Sequence, residues 1–480
     1  MSDQYICKVS ILTLLLEVYT ILGFLFELNV PGTEYLEMSP LLKLAVTLAP
    51  LVATFISRFV EAWSVITLPA LSCSVLIPIA AVLPASLKLG LGCVAALLAI
   101  AHAKALKDFP VFHLYKPTGK FAVGYKSYSD KDNFKYCVFY PTLKPTKQAP
   151  RFMADPNTQR KYLEIAQERT NFPPKGLFDI LVHIMAKVKL MAGINSPIVS
   201  SEELFEYIGR KKFVPVVFSH GLGAGMHNYS SMLVQLASQG HFVVSLDHRD
   251  EVKEMITVGL EAAQKYLHKR VKDVRRVIDE FEDPSGSLRG LFGKDVEFDM
   301  EHLTLMGHSF GGGTVYLGAW LEDKVKNLVM LDPFLWPVQQ ESLDKTLNCN
   351  LLILESHDWN DRCPDFMINK RNLQVMEAQK NSEAGALYCK VVDSQHTHFS
   401  DDILMVGGVM KLLNVINDVN IAKEIYKSNI KIIDEFFSLV ASKKRGEENF
   451  NDFIKAYVEN KRYPLVPYSQ KIFMLSNTSI

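Results

Sequence analysis

Leu305-Met306-Gly307-His308-Ser309-Phe310-Gly311-Gly312-Gly313 decides the fold. It sets Gly-x-Ser-x-Gly between an apolar run, Leu303–Met306, and a Gly- and Ala-rich segment, Phe310–Leu321, that reads as a helix. A serine on so sharp a strand-to-helix turn projects above the sheet edge, and the next backbone N–H points the same way. The turn is strained, so its flanks must be small, and Gly307 and Gly311 supply that.

Working outward, short apolar runs alternate with helical patterns. Phe134–Tyr140, Val214–Ser219, Phe242–Asp247, Val325–Leu331, Leu351–Glu355 and Leu387–Val392 read as strands. Tyr229–Ser238 and Glu254–Glu282 read as helices, and helices near Asn417–Lys443 close the unit. Strands alternating with helices predict an α/β unit with a mostly parallel, doubly wound sheet. With the serine elbow in it, the expectation is an α/β-hydrolase fold over residues 111–445, followed by an irregular tail, 446–480.

A serine hydroxyl needs a base, normally a histidine oriented by a carboxylate. In such a sheet the histidine follows the last strand, which offers His396 and His398. His308 is too close to the nucleophile to turn back on it, while His220 and His248 read as structural. Asp332 ends the strand after the elbow helix, and Glu355 and Asp358 end the following one, so spacing leaves the acid open. The oxyanion donors are expected from the N–H groups of Phe310 and of Leu222, in the turn His220-Gly221-Leu222-Gly223-Ala224. No metal-ligand spacing and no cofactor motif is present, so cofactor and metal are both expected to be none. The seven cysteines include no CxxC pair and suggest no disulfide framework.

The ordered set of motifs resembles the platelet-activating factor acetylhydrolase family, the plasma and intracellular type II group that includes lipoprotein-associated phospholipase A2. The matching pieces begin with Gly119–Gly124, Tyr140-Pro141, Asn195-Ser196-Pro197 and Val214–Ala224. They continue with Ser245–Asp250, Gly307–Thr314, Leu331–Pro337 and Ser394–Asp401. The resemblance implies Ser309, Asp332 and His396 as the triad and Leu222 and Phe310 as oxyanion donors. It also implies calcium-independent hydrolysis of short or oxidised sn-2 acyl chains of phospholipids, the activity of a 1-alkyl-2-acetylglycerophosphocholine esterase. A carboxylesterase or lipase for neutral esters, or a non-catalytic membrane protein with a hydrolase-derived binding domain, are the other readings.

The N-terminal quarter has a different composition. Residues 1–110 carry 13 charged residues, about 12%, against 91, about 25%, in the remaining 370. Ser64–Leu87 is 24 residues without a charge, and apolar runs near Val9–Phe26, Leu41–Ser57 and Leu89–Ala103 accompany it. About 20 apolar residues span a bilayer core, so three or four membrane spans are expected over 1–110. Lys8, Arg58, Lys104 and Lys107 then put the catalytic unit in the cytosol. A signal peptide or a buried helical domain are the alternatives. This region departs from the family pattern, and Ser2 stands where a myristoylation signal needs glycine. Gly176–Met191 reads as an amphipathic helix that either faces the core or dips into the membrane interface. The expected partners are the phospholipid substrate and the bilayer. With 52 Lys+Arg against 52 Asp+Glu, the zero net charge argues against nucleic acid.

Overall fold

The computed structural model describes residues 114–441, with 133, 153–187, 249, 251, 294, 381, 383, 392 and 413–415 excepted, together with 94, 97 and 472–474. The chain divides into two units, Met1–His113 with Pro174–Val188, and Leu114–Pro173 with Lys189–Ile480. Among the described residues, the second unit holds one ten-stranded sheet. Its strands are β1 (Ala122–Ser129), β2 (Lys135–Thr142), β3 (Gly193–Ile194), β4 (Val214–Ser219), β5 (His241–Asp247), β6 (Thr304–His308), β7 (Asn327–Leu331), β8 (Asn350–Ser356), β9 (Ala386–Val391) and β10 (Ile472–Met474). Their order is β10-β9-β8-β7-β6-β4-β5-β2-β1-β3.

Strands β5, β4, β6, β7, β8 and β9 pair in parallel. Both faces of such strands are covered, so they read as continuous apolar runs. Val214–Ser219 is buried at every position, as is Asn327–Leu331. On one flank β1 and β2 form an antiparallel hairpin laid against β5. On the other, β10 runs antiparallel to β9, so the C-terminal segment expected to be irregular supplies an edge strand.

The helices that bear on the site are α1 (Ser230–Ser238), α2 (Val252–Val258), α3 (Leu260–Glu282), α4 (Phe310–Leu321), α5 (Trp359–Arg362), α6 (Asp402–Leu412) and α7 (Val419–Ala441). The single helix expected over Glu254–Glu282 is broken at Gly259, whose φ of 77° lies in the left-handed region. Helix α3 then buries a stripe through Tyr266, Leu267, Arg270, Val271, Val274 and Val277, the spacing of one helical face. Helix α4 is buried along its first ten residues, under the sheet's central strands.

Among the described residues no helix is long and apolar enough to cross a membrane. The spans expected over 1–110 lie outside the described residues, save for 94 and 97. The helix expected over Gly176–Met191 also lies largely outside them, but its last residues are not helical. Lys189 instead forms an isolated antiparallel bridge with Arg151, and the Leu190 N–H donates to the Pro150 carbonyl at 2.8 Å, before the chain bends at Met191 and Ala192 into β3.

Candidate active site

The carboxyl ends of β4, β6, β7 and β8 carry the site, with His396 brought to them by the loop after β9. This is where an open α/β sheet gathers its functional groups. Ser309 follows β6 and has φ 56° and ψ −121°, a conformation that costs a non-glycine residue about 1–3 kcal/mol. Backbone bonds hold it there. The Ser309 N–H donates to the Leu331 carbonyl at 2.9 Å, and the Phe334 N–H donates to the Ser309 carbonyl at 2.8 Å. A Cβ at Gly307 would lie 2.3 Å from the Gly311 carbonyl oxygen, and one at Gly311 would lie 2.0 Å from that of Ser219. The small flanks are thus a matter of backbone meeting backbone.

The structure brings Ser309, His396 and Asp332 into one hydrogen-bonded chain. His396 Nε2 lies 3.1 Å from Ser309 Oγ, and His396 Nδ1 lies 2.9 Å from Asp332 Oδ2. In the ionised form of Asp332 the carboxylate accepts the hydrogen bond of Nδ1–H, and Nε2 is left as the acceptor for the serine hydroxyl. An imidazole so placed can draw the proton off the hydroxyl. Asp332 is fully buried. The Ser356 Oγ–H donates to its Oδ2 at 2.5 Å and the Ser356 N–H donates to its Oδ1. Burial pushes the Asp332 carboxyl up to about 8, against the pull of the Ser356 bonds and with a push from the Asp358 charge.

The other acids and histidines stand elsewhere. Asp358 accepts from Gln395 Nε2 at 3.3 Å, and Glu355 accepts from Asn372 Nδ2 at 2.7 Å and from the Tyr388 hydroxyl. His398 accepts the Gln395 N–H on Nδ1 at 3.2 Å and so braces the short turn that bears His396. His308 Nδ1 meets the Tyr229 hydroxyl at 2.7 Å, and burial, with the charge of His396, pushes its pKa well down. Ligand-type atoms of His308, Asp332 and His396 come within 4.8 Å of one another. Both ring nitrogens of His396 and both oxygens of Asp332 already hold hydrogen-bond partners, which is the arrangement of a proton relay.

The His396 loop is anchored by Asp401. Its carboxylate accepts from the Ser230 hydroxyl at 2.5 Å, the Ser231 N–H at 3.0 Å and the Tyr426 hydroxyl at 2.5 Å. It therefore sits at the N-terminus of α1, where a negative charge is favoured, and ties that helix to α7.

The loop after β4 is held by a cluster whose key member the sequence reading did not single out. The buried Arg270 guanidinium donates to the His220 carbonyl at 2.5 Å, to the Gly221 carbonyl at 3.4 Å and through Nε to Asp250 at 2.9 Å. It also stacks over the Phe310 ring, 4.8 Å from its centroid. The His248 N–H donates to His220 Nε2 at 3.2 Å, so the His220 proton is on Nδ1, which donates to the Gly221 carbonyl at 2.8 Å. Burial and the Arg270 charge push His220 down to about 3, so it is neutral. Across a planar trans peptide, C=O and N–H point opposite ways. Pinning the Gly221 carbonyl toward His220 and Arg270 therefore turns the Leu222 N–H the other way. The signal for Arg270 was present in the sequence, as an arginine in the apolar stripe of a helix.

The family described as platelet-activating factor acetylhydrolase, isoform II, matches this chain over residues 113–283 and 292–451. A platelet-activating factor acetylhydrolase of Gallus gallus is 25% identical over 241 residues, 42% of this chain and 55% of that relative. The one from Cavia porcellus is 26% identical over 193 residues, 34% of this chain and 42% of that relative. The matched stretches span about half the length of these curated relatives. Among solved structures, a ferulic acid esterase from Streptomyces cinnamoneus has a TM-score of 0.52 over 76% of this chain and 99% of its own, at 15% identity. That likeness establishes a shared α/β architecture. With the family match running over most of the described unit, the chain belongs to the platelet-activating factor acetylhydrolase isoform II family.

Proposed function

We propose that this chain is a serine hydrolase that cleaves the sn-2 ester of phospholipids carrying short or oxidised acyl chains. The observation that carries the reading is the continuous chain from Asp332 through His396 to Ser309. In this mechanism His396 Nε2 takes the Ser309 proton as Oγ bonds to the sn-2 carbonyl carbon. The carbonyl oxygen becomes an oxyanion received by the N–H groups of Phe310 and Leu222. Collapse breaks the ester bond, and His396 returns the proton to the departing lysophospholipid oxygen. Water, activated by His396 in turn, releases the acyl group from Ser309. Asp332 holds the imidazole in the tautomer that leaves Nε2 free to accept and stabilises the imidazolium formed on the way. Base, nucleophile and oxyanion donors are all groups of the chain, in keeping with catalysis without calcium.

The substrate class rests on the family membership and on the printed names of the relatives, platelet-activating factor acetylhydrolases. Anchorage of the catalytic unit to a membrane through residues 1–110, with that unit in the cytosol, is part of the same proposal. It rests on the 24-residue uncharged run Ser64–Leu87 and the sparse charge around it.

The test is labelling of membranes that contain the full chain with a fluorophosphonate probe, followed by a panel of short-chain phospholipid, triacylglycerol and simple ester. Ser309 is expected to label and the phospholipid to turn over fastest. Ser309→Ala is expected to lose labelling and to lose turnover by roughly 10⁴-fold or more. Retained turnover in that variant would remove Ser309 from the mechanism, and preference for triacylglycerol would move the substrate to neutral esters.

A further inference from the structure

Trp359 opens α5, directly after the loop that follows β8. Its ring lies face to face with the imidazole of His396, the centroids 3.5 Å apart and the planes inclined by only 6°. Trp359 is 8% exposed. Its indole N–H has no hydrogen-bond partner among the described residues. The ring is therefore kept in place by packing, with Phe334 at a centroid distance of 6.4 Å.

Other groups also surround His396. Asp332 takes Nδ1 and Ser309 meets Nε2. The His308 ring, from the end of β6, lies 4.6 Å away. Asp358, from the loop after β8, is bonded by Gln395, and Lys390 of β9 lies 3.7 Å from Glu355. Thus the sole large π-face laid parallel on the imidazole, among the described residues, is that of Trp359.

A tryptophan face attracts a cation held over it, the more so where water is excluded, and holds a neutral ring less strongly. His396 is neutral before proton transfer and cationic after it. An interaction that strengthens as the charge develops lowers the barrier, whereas one felt equally in both states does not. We propose that Trp359 is a positioning residue for His396: its face fixes the plane of the imidazole and stabilises the imidazolium formed when Ser309 is deprotonated. The proposal rests on the reading of Ser309, His396 and Asp332 as the reacting chain.

The experiment uses the full chain in membranes or detergent and p-nitrophenyl acetate as substrate. It compares wild type, Trp359→Phe, Trp359→Leu and Ser309→Ala over about pH 5–9. Trp359→Leu is expected to lower kcat roughly 3- to 30-fold with KM little changed. Loss of the π-face also makes the imidazolium less stable, so the acid limb of the kcat profile moves to lower pH. Trp359→Phe, which keeps a weaker π-face, is expected to fall between wild type and Trp359→Leu on both measures. An unchanged kcat and acid limb in Trp359→Leu would overturn the proposal. So would equal losses in the Phe and Leu variants, or a change confined to KM. An active Ser309→Ala would instead strike the catalytic reading, whatever the Trp359 variants show.

Discussion

Two buried aspartates brace the site, each beside a histidine, and they differ in their hydrogen-bond partners. Asp332 has His396 and Ser356 as hydrogen-bond partners and no cation bonded to it, and burial pushes its carboxyl up to about 8 against the pull of the Ser356 bonds and the Lys390 charge. Burial would push Asp250 up as well, but the Arg270 guanidinium outweighs it and holds the carboxyl well below the usual range. A carboxylate paired with arginine keeps its charge throughout any reaction cycle. One whose neighbour is an imidazole can respond when a proton arrives there. The first pair suits a part that must not move, the second a part that must.

The sharpest way to break that comparison is Asp332→Asn. The amide would favour the wrong His396 tautomer, and kcat is expected to fall by about 10⁴-fold, while Asp358→Asn stays near wild type. If the two swap effects, the acid belongs to the β8 loop. The same variant reads out the linkage. A carboxyl whose folded pKa lies at about 8, above its ordinary 3.8, adds stability that is full below about 4 and lost as pH rises through about 8. The melting temperature of wild type relative to Asp332→Asn should therefore decline across that window. A constant difference from about pH 4 to 8 would deny the shift.

Asp250→Asn tests the other half. It leaves the Arg270 charge buried without its partner, and destabilisation of about 3–5 kcal/mol is expected, seen in denaturant unfolding. A variant as stable as wild type would mean that Arg270 has water or another anion to turn to. The wild-type pair should also survive acidification to about pH 4, because a depressed carboxyl gives up its stability only as pH falls through its own low pKa.

A smaller effect than at Asp332 is expected at His220. Removing its Nδ1–H in His220→Ala leaves the Gly221 carbonyl with only the longer Arg270 contact and should reduce kcat roughly 10- to 100-fold, short of the loss of a whole oxyanion donor. His220→Asn keeps an N–H near the position of Nδ1 and should recover part of it. No recovery in His220→Asn, or a change in KM and not kcat in His220→Ala, would place His220 outside the orientation of Leu222.

Much of this was legible in the residues, for a physical reason. Doubly covered strands such as Val214–Ser219 and Leu351–Glu355 are continuous apolar runs, and the elbow imposes its own glycines. Strand β1, which reads AVGYKSYS, was not anticipated as a strand. It lies in the flanking hairpin, where the second half alternates between half-buried and exposed positions. Periodicity saw a helix through Gly259 because the apolar stripe continues on both sides of it. For the acid, strand-end position alone left Asp332, Glu355 and Asp358 level. What separates them in space is Ser356, whose N–H and hydroxyl turn toward Asp332. Trp359 could not have been singled out, since a stack between a β8-side loop and a β9-side loop leaves no mark on sequence spacing.

The contact of Gly311 with the Ser219 carbonyl has a mechanical consequence. The turn that bears Phe310 and the strand end that leads into Leu222 touch backbone to backbone, with no side chain between them. Rotamer changes and small losses of core volume elsewhere cannot open a gap there, because nothing compressible or rotatable fills the joint. A substitution that displaces one of these two turns should carry the other along as a rigid body. The spacing of the two N–H groups would then tolerate heating and sequence drift better than the spacing of Ser309 from His396, which depends on side chains from two separate turns.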